Sequence, residues 1–477
     1  MTKGIDPDSA VPIYHQLKRH LLDEIARGVY APGDRLPTEH ELCDLYSISR
    51  TPVNHALSDL AAEGVIVRAR RRGTFVNPDW RADEPGANPL SVVVSDSVRA
   101  DRISEIAPRN IELTVVDYTE LRSYLMIAVA EGTAPDVALV DEVWIAEMAD
   151  AHVIHALDQL DPLWSESEYQ IDFDPAFVDG VRFDEHVYAV PEEINVAGIW
   201  YSRDLLARAG SELPANWREL RDRARVLQAG MPSGSHAVAM PGGTAASETT
   251  TYCLTALLAS NGAMIINGGV ALDTGEAVEA LRLVRHLIED GSMTGDVVNY
   301  DWLAAPRLLG SGRAAIAIGG SYEAEVIAES AGLTLETVWD HFVFAPFPPG
   351  PNGAPATVSG AMGYAVLRQS RSTQAAMRLV QQLTGSNELA RLTAGRPMIP
   401  ARRSSIDLVV QAQPYVLETA RLFSTAVHRP HIVGYPLVSK QLQQMLEAVI
   451  TGSLRPAAAV ERAADIIGAI TGLAVVH

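Results

Sequence analysis

Arg68, Arg70, Arg71 and Arg72 form a local basic cluster, and closely set guanidinium groups are the chemistry that meets phosphates. A short way upstream, Arg50, Thr51, Asn54 and His55 fall on one side of a helical period. Side chains of these types reach backbone phosphates and the donor and acceptor edges of bases. Arg35 stands just ahead of the preceding helical segment, where it would suit a backbone phosphate. The pattern points to double-stranded DNA as a partner. The formal charge of −21 over 477 residues opposes that reading only until it is divided along the chain. Residues 1–80 carry ten Lys and Arg against eleven Asp and Glu, so nearly all the acidity belongs to the remainder.

Catalytic chemistry finds few candidates. There is no G-x-S-x-G elbow, no P-loop and no H-E-x-x-H. Lysine occurs only as Lys3, Lys18 and Lys440, so a pyridoxal phosphate Schiff base would have to fall on Lys440, in a helix-like context. His152 and His155 lie three apart with no third ligand nearby, and His428 and His431 are no better placed, so no metal is expected. Neither an enzyme nor a cofactor is anticipated. Cys43 and Cys253 both lie in apolar, helix-like stretches, which suggests a reducing compartment. The N-terminus lacks the pattern of an export signal, and no apolar run approaches the roughly 20 residues of a membrane span. A cytoplasmic protein with no membrane attachment is the expectation.

The elements that would position the basic residues can be read in order. Ile13, Leu17, Leu21 and Ile25 recur at helical spacing in a helix ending near Gly28. Thr38 and Glu41 make a capping box that starts a second helix, which should bury Leu42 and Leu45. Ser49 caps a third helix burying Val53, Ala56, Leu57 and Leu60. The tight connection at Tyr46-Ser47-Ile48 makes a helix-turn-helix. Val65–Val67 and Thr74–Val76 then flank an arginine-rich tip containing Gly73, as the two strands of a hairpin wing would.

Residues 78–89, rich in proline and without periodicity, read as a linker. Beyond it, strand-like runs (91–94, 111–116, 137–140, 188–191, 198–201, 314–318 and 363–367) alternate with helix-length segments such as 120–130 and 144–151. That alternation predicts α/β layers, and its length predicts two lobes.

The phrases APGDRLPTEHEL, YSISRTPVNHALSDLAAEGVI and RRRGTFV in residues 10–77 resemble the GntR family of bacterial regulators. The resemblance implies a dimeric winged helix that places its third helix in the major groove. Arg50 matches the family's arginine at the start of that helix. His40 and Asn54 stand where many members carry arginine, so base readout cannot be copied from relatives, although Asn54 suits an adenine edge. Thr38 and Gly73 complete the expected DNA-contacting set.

From about residue 88 onward, PDVALVDEVWIAEMADAHVIHALDQL, VYAVPEEINVAGIWYSRDLLARAG and SGRAAIAIGGSYEAEVI resemble the family 1 extracellular solute-binding proteins. The implied fold class is α/β: an N-terminal winged helix-turn-helix in residues 1–77, then a bilobed periplasmic-binding-protein-like domain of type II in residues 90–477. Lobe 1 would span about 90–195 with parts of 360–477, and lobe 2 about 196–359. Matching positions put Asp141, Glu142, Trp144, Glu192, Glu193, Asn195, Glu248, Tyr252, Tyr322 and Tyr435 at the cleft. Carboxylates mixed with aromatic rings suit a mono- or oligosaccharide, although a cation such as a polyamine stays open. The expected function is a ligand-controlled regulator of a DNA operator. The alternative is a transport binding protein with an N-terminal extension.

Overall fold

The computed structural model describes residues 13–476 apart from 27–28, 63, 70–72, 79–88, 108–110, 166–168, 174 and 211. The chain falls into two compact units, with the main change at Leu90 and Ser91.

In the first unit, α1 (Ile13–Ala26), α2 (Glu39–Tyr46) and α3 (Arg50–Ala62) precede the antiparallel pair β1 (Ile66–Ala69) and β2 (Gly73–Val76). Leu17, Leu21 and Ile25 of α1 pack with Leu42, Val53, Ala56, Leu57, Leu60 and Val76 in one core. Burial of each large aliphatic side chain is worth roughly 1.5–3 kcal/mol. Leu45 corrects the reading from periodicity: it is 45% exposed, and Tyr46 takes the inner place. Tyr46 lies four residues beyond Leu42 and stacks on the same helix face, which turns Leu45 outward. The capping box is present, Glu41 N–H donating to Thr38 Oγ1 at 3.3 Å and Thr38 N–H to Glu41 Oε2 at 2.6 Å. Ser47, in the left-handed region at φ 55°, ends α2 by donating its N–H to Cys43 O. The hairpin register pairs Arg68 with Thr74, so Arg68 lies within a strand and not at the tip. Arg70, Arg71 and Arg72 lie outside the described residues.

The second unit is built on a twisted sheet with ten described strands. Strands β3 (Leu90–Val94), β4 (Ile111–Val115) and β5 (Val137–Asp141) are linked through α4 (Ser97–Ile106) and α5 (Tyr118–Glu131). β5 lies parallel to β3, as a crossover helix requires. The long strands β6 (Val190–Ser202) and β9 (Thr357–Val366) continue the sheet. Residues 190–196 of β6 pair with β9, whereas 197–201 pair with β7 (Ile316–Gly320). β8 (Phe342–Ala345) adds to the latter end of β6. One strand therefore passes from one half of the sheet into the other.

This passage corrects a second expectation. The runs 188–191 and 198–201, read as separate strands, run into one 13-residue strand, Val190–Ser202, and Glu192, Glu193 and Asn195 lie within it where it crosses between the two halves. All but one of its residues are buried, so neither face shows the polar alternation that marks a half-exposed strand.

Candidate functional sites

The first candidate site is the outer face of α3 with its neighbours. Arg50, Thr51, His40 and Arg35 are exposed. Glu39, in the first turn of α2, gathers three of the residues around it: Arg50 Nε donates to Glu39 Oε2 at 2.9 Å, Asn54 Nδ2 to the same oxygen at 3.1 Å, and Arg68 Nη2 to Oε1 at 2.5 Å. Arg68 also donates to Asn54 Oδ1 at 3.1 Å and to Ser58 Oγ at 3.2 Å. His55 turns its ring onto Tyr14, with centroids 3.8 Å apart and planes at 16°. The Thr38 hydroxyl is occupied as a helix cap. Gly73 has φ of +116°, and a Cβ there would stand 2.9 Å from Arg35 Nε, so glycine lets the arginine side chain lie across the wing.

The second candidate site is a cleft of about 460 Å³ in the second unit. Six of the ten residues expected there line it: Asp141, Glu193, Asn195, Glu248, Tyr252 and Tyr322. Glu142, Trp144, Glu192 and Tyr435 stand behind its walls. Trp144 is 7% exposed and packs on Tyr118, with ring centroids 5.7 Å apart. Tyr435 is fully buried at the start of α7 (Tyr435–Ile450) and donates to Glu248 Oε1 at 2.7 Å. Glu142 and Glu192 are held by arginines.

Those arginines are what sequence reasoning missed. Arg429, 4% exposed, donates from Nη1 to Glu248 Oε1 at 2.9 Å, and from Nη2 to Glu142 Oε1 at 3.1 Å and Asp141 Oδ1 at 3.3 Å. Its guanidinium lies 5.1 Å from the centre of the Tyr252 ring, a cation–π distance. Arg99, 1% exposed, donates through Nε to both oxygens of Glu192, at 2.9 and 3.0 Å, and pairs through Nη2 with Glu193 Oε1 at 2.9 Å. It also bonds Asp96, the N-cap of α4. Arg429 lies between His428 and His431, and nothing in a sequence separates a buried arginine from the usual exposed one.

Burial pushes Glu142 up to about 7 and outweighs the pull of Arg429, with Asp141 adding to the rise. Burial likewise raises Glu248 above the usual carboxylate range, against the opposing effects of Arg429, Ser439 and Tyr435. Burial lowers His431 to about 4, helped by His428 and Arg429. Among the described residues, no group of three His, Cys, Asp or Glu could hold a metal ion.

Several polar atoms on the wall are already oriented. Tyr118 donates to Asp141 Oδ2 at 2.7 Å, Tyr252 to Asn195 Oδ1 at 2.8 Å and Tyr322 to Thr249 Oγ1 at 3.3 Å. Trp302 also lines the cleft, its ring 6.3 Å from that of Tyr322. Glu248 and Tyr252 reach the wall from α6 (Glu248–Ala259), which follows the Gly242-Gly243 turn.

A strand shared by two halves of one sheet, beside a cleft of aromatic and carboxylate side chains, is the architecture of a solute-binding protein, here preceded by a winged helix-turn-helix. The chain belongs to the bacterial extracellular solute-binding protein family, whose profile covers residues 109–387, and its residues 13–76 match the bacterial regulatory proteins of the gntR family. Neither family is enzymatic. The chain is 48% identical over 68 residues to YurK of Bacillus subtilis (strain 168), named an uncharacterized HTH-type transcriptional regulator; the match takes 14% of this chain and spans only 28% of YurK. The GacH receptor of Streptomyces glaucescens, solved unliganded and with acarbose and an acarbose homolog, superposes with TM-score 0.71 at 19% identity, over 81% of this chain and 98% of GacH. Maltose-bound MalE3 of T. maritima superposes with TM-score 0.70 at 23% identity, over 80% of this chain and 99% of MalE3. Among the described residues no helix is long and apolar enough to cross a membrane.

Proposed function

We propose that this chain is a cytoplasmic, dimeric transcription regulator whose affinity for a DNA operator is set by a neutral carbohydrate in the cleft. The observation that carries the ligand class is the pairing of the cleft carboxylates with Arg99 and Arg429. Carboxylates paired with buried guanidinium groups remain acceptors for hydroxyl donors, and the shared positive charge weakens their attraction for a cation. A polyamine is therefore disfavoured. Tyr118, Tyr252, Trp302 and Tyr322 supply faces on which the C–H surface of a sugar can stack. The acarbose bound by GacH and the maltose bound by MalE3 support the same class.

The DNA contacts belong to Arg35, Arg50, Thr51, Asn54 and the wing from Arg68 to Gly73, with His40 and His55 at the edges. Coupling requires only that the sugar bind two arrangements of the protein with different affinity. A thermal-shift screen of mono- and oligosaccharides tests the first half, since a ligand at 100 times its Kd adds about 2.7 kcal/mol. Gel-shift titration with the identified sugar tests the second. Operator affinity unchanged at saturation would overturn the proposal.

A further inference from the structure

The carboxylate of Glu39 stands between Arg50, Asn54 and Arg68, three groups of the DNA-seeking face. An acid there works against phosphate binding, yet it accepts from Arg50, Asn54 and Arg68 at once. Those three residues come from α3 and β1, so one acceptor joins the two elements that would reach the groove. The side chain of Arg50 is 77% exposed, and an ion pair that open to water adds little to stability. Its effect is on geometry.

Among the described residues Arg50 is held by Glu39 through Nε, and the two terminal nitrogens of a guanidinium held that way can act as a fork, the arrangement that reads the O6 and N7 of guanine. Asn54 is held at both ends, its amide nitrogen on Glu39 and its oxygen on Arg68, so the amide is already turned before any base arrives. Ordering two long polar side chains in the free protein removes an entropic cost from the bound one.

We propose that Glu39 is the positioning residue of the DNA-reading face: it aims Arg50 and Asn54 at base edges, and its charge weakens binding that relies on phosphates alone. Sequence preference then comes from a residue that need not touch a base. The inference rests on the reading of the first unit as a DNA reader.

The test is selection from a randomised DNA duplex library by the full chain, compared with the Glu39→Gln, Glu39→Asp and Arg50→Ala variants. Binding to a random-sequence duplex is measured alongside as a function of salt. Glu39→Gln keeps the side-chain length and leaves the Thr38–Glu41 cap in place, and its thermal unfolding should match that of the wild type. The wild type should enrich a motif containing a guanine position that Arg50→Ala loses. Glu39→Gln should lose about tenfold of the preference at that position while binding random duplex as tightly or more tightly. Glu39→Asp should keep more of the preference than Glu39→Gln. A motif enriched equally by the wild type and Glu39→Gln would overturn the inference alone. A wild type that enriches no motif would overturn the DNA reading and the inference with it.

Discussion

Arg429 and Glu248 are joined by a 2.9 Å hydrogen bond, and the same guanidinium reaches Asp141 and Glu142. One buried cation thus ties the end of β5 to the first turn of α6. Replacing Arg429 with Met would leave three carboxylates around an apolar side chain, and breaking a buried pair in this way costs about 3–5 kcal/mol. Urea denaturation followed by tryptophan fluorescence should record that loss in the transition of the second unit. A cost below about 1 kcal/mol would mean that the pairs hold nothing together.

Glu142 makes stability depend on pH. In the folded chain its carboxyl keeps a proton up to about 7, against an ordinary value of 4.5. Between those values the folded state binds more protons than the unfolded one, so this group makes stability fall as pH rises across the window, by at most about 1.4 kcal/mol per pH unit. Glu142→Gln should flatten the slope between pH 4.5 and 7. Unfolding free energies measured at intervals across that range decide it, and a slope identical to that of the wild type would count against the buried-acid reading.

Trp302 and Tyr322 supply ring faces to the cleft. Trp302→Ala and Tyr322→Ala should each weaken binding of the sugar found by screening by about 0.5–1.5 kcal/mol beyond the lost apolar area. Thermal stability should change little for Trp302→Ala, because that ring is only half buried. Isothermal titration calorimetry measures the affinities. Unaltered affinity in both variants would place the ligand elsewhere.

Gly73 carries φ of +116°, and a methyl group there would stand 2.9 Å from Arg35 Nε. Gly73→Ala should destabilise the hairpin by about 1–3 kcal/mol and displace Arg35 from the wing. Operator affinity should fall with it, as read by fluorescence anisotropy on labelled duplex. Unchanged stability and affinity would show that the backbone accommodates a side chain at this turn.

The winged helix was legible from the sequence because its information is local. Capping by Thr38 and Glu41, the apolar period through Leu57 and Leu60, and the hairpin around Gly73 are all set by residues within a few positions of one another. The α/β class and the strands β3 to β5 followed in the same way, since alternation and apolar runs are local signals. What the sequence alone could not decide was the state of its charges. Glu192 and Glu193 meet Arg99 across more than 90 positions, and Asp141 and Glu142 meet Arg429 across nearly 290. The energy of a buried ion pair depends on distance and on the exclusion of water, neither of which has a trace in local spacing. The tertiary structure therefore joined two separate runs into the strand β6 and set the acids of the cleft against buried arginines. It also showed Arg50 and Asn54 gathered by Glu39, a residue that sequence reading had passed over.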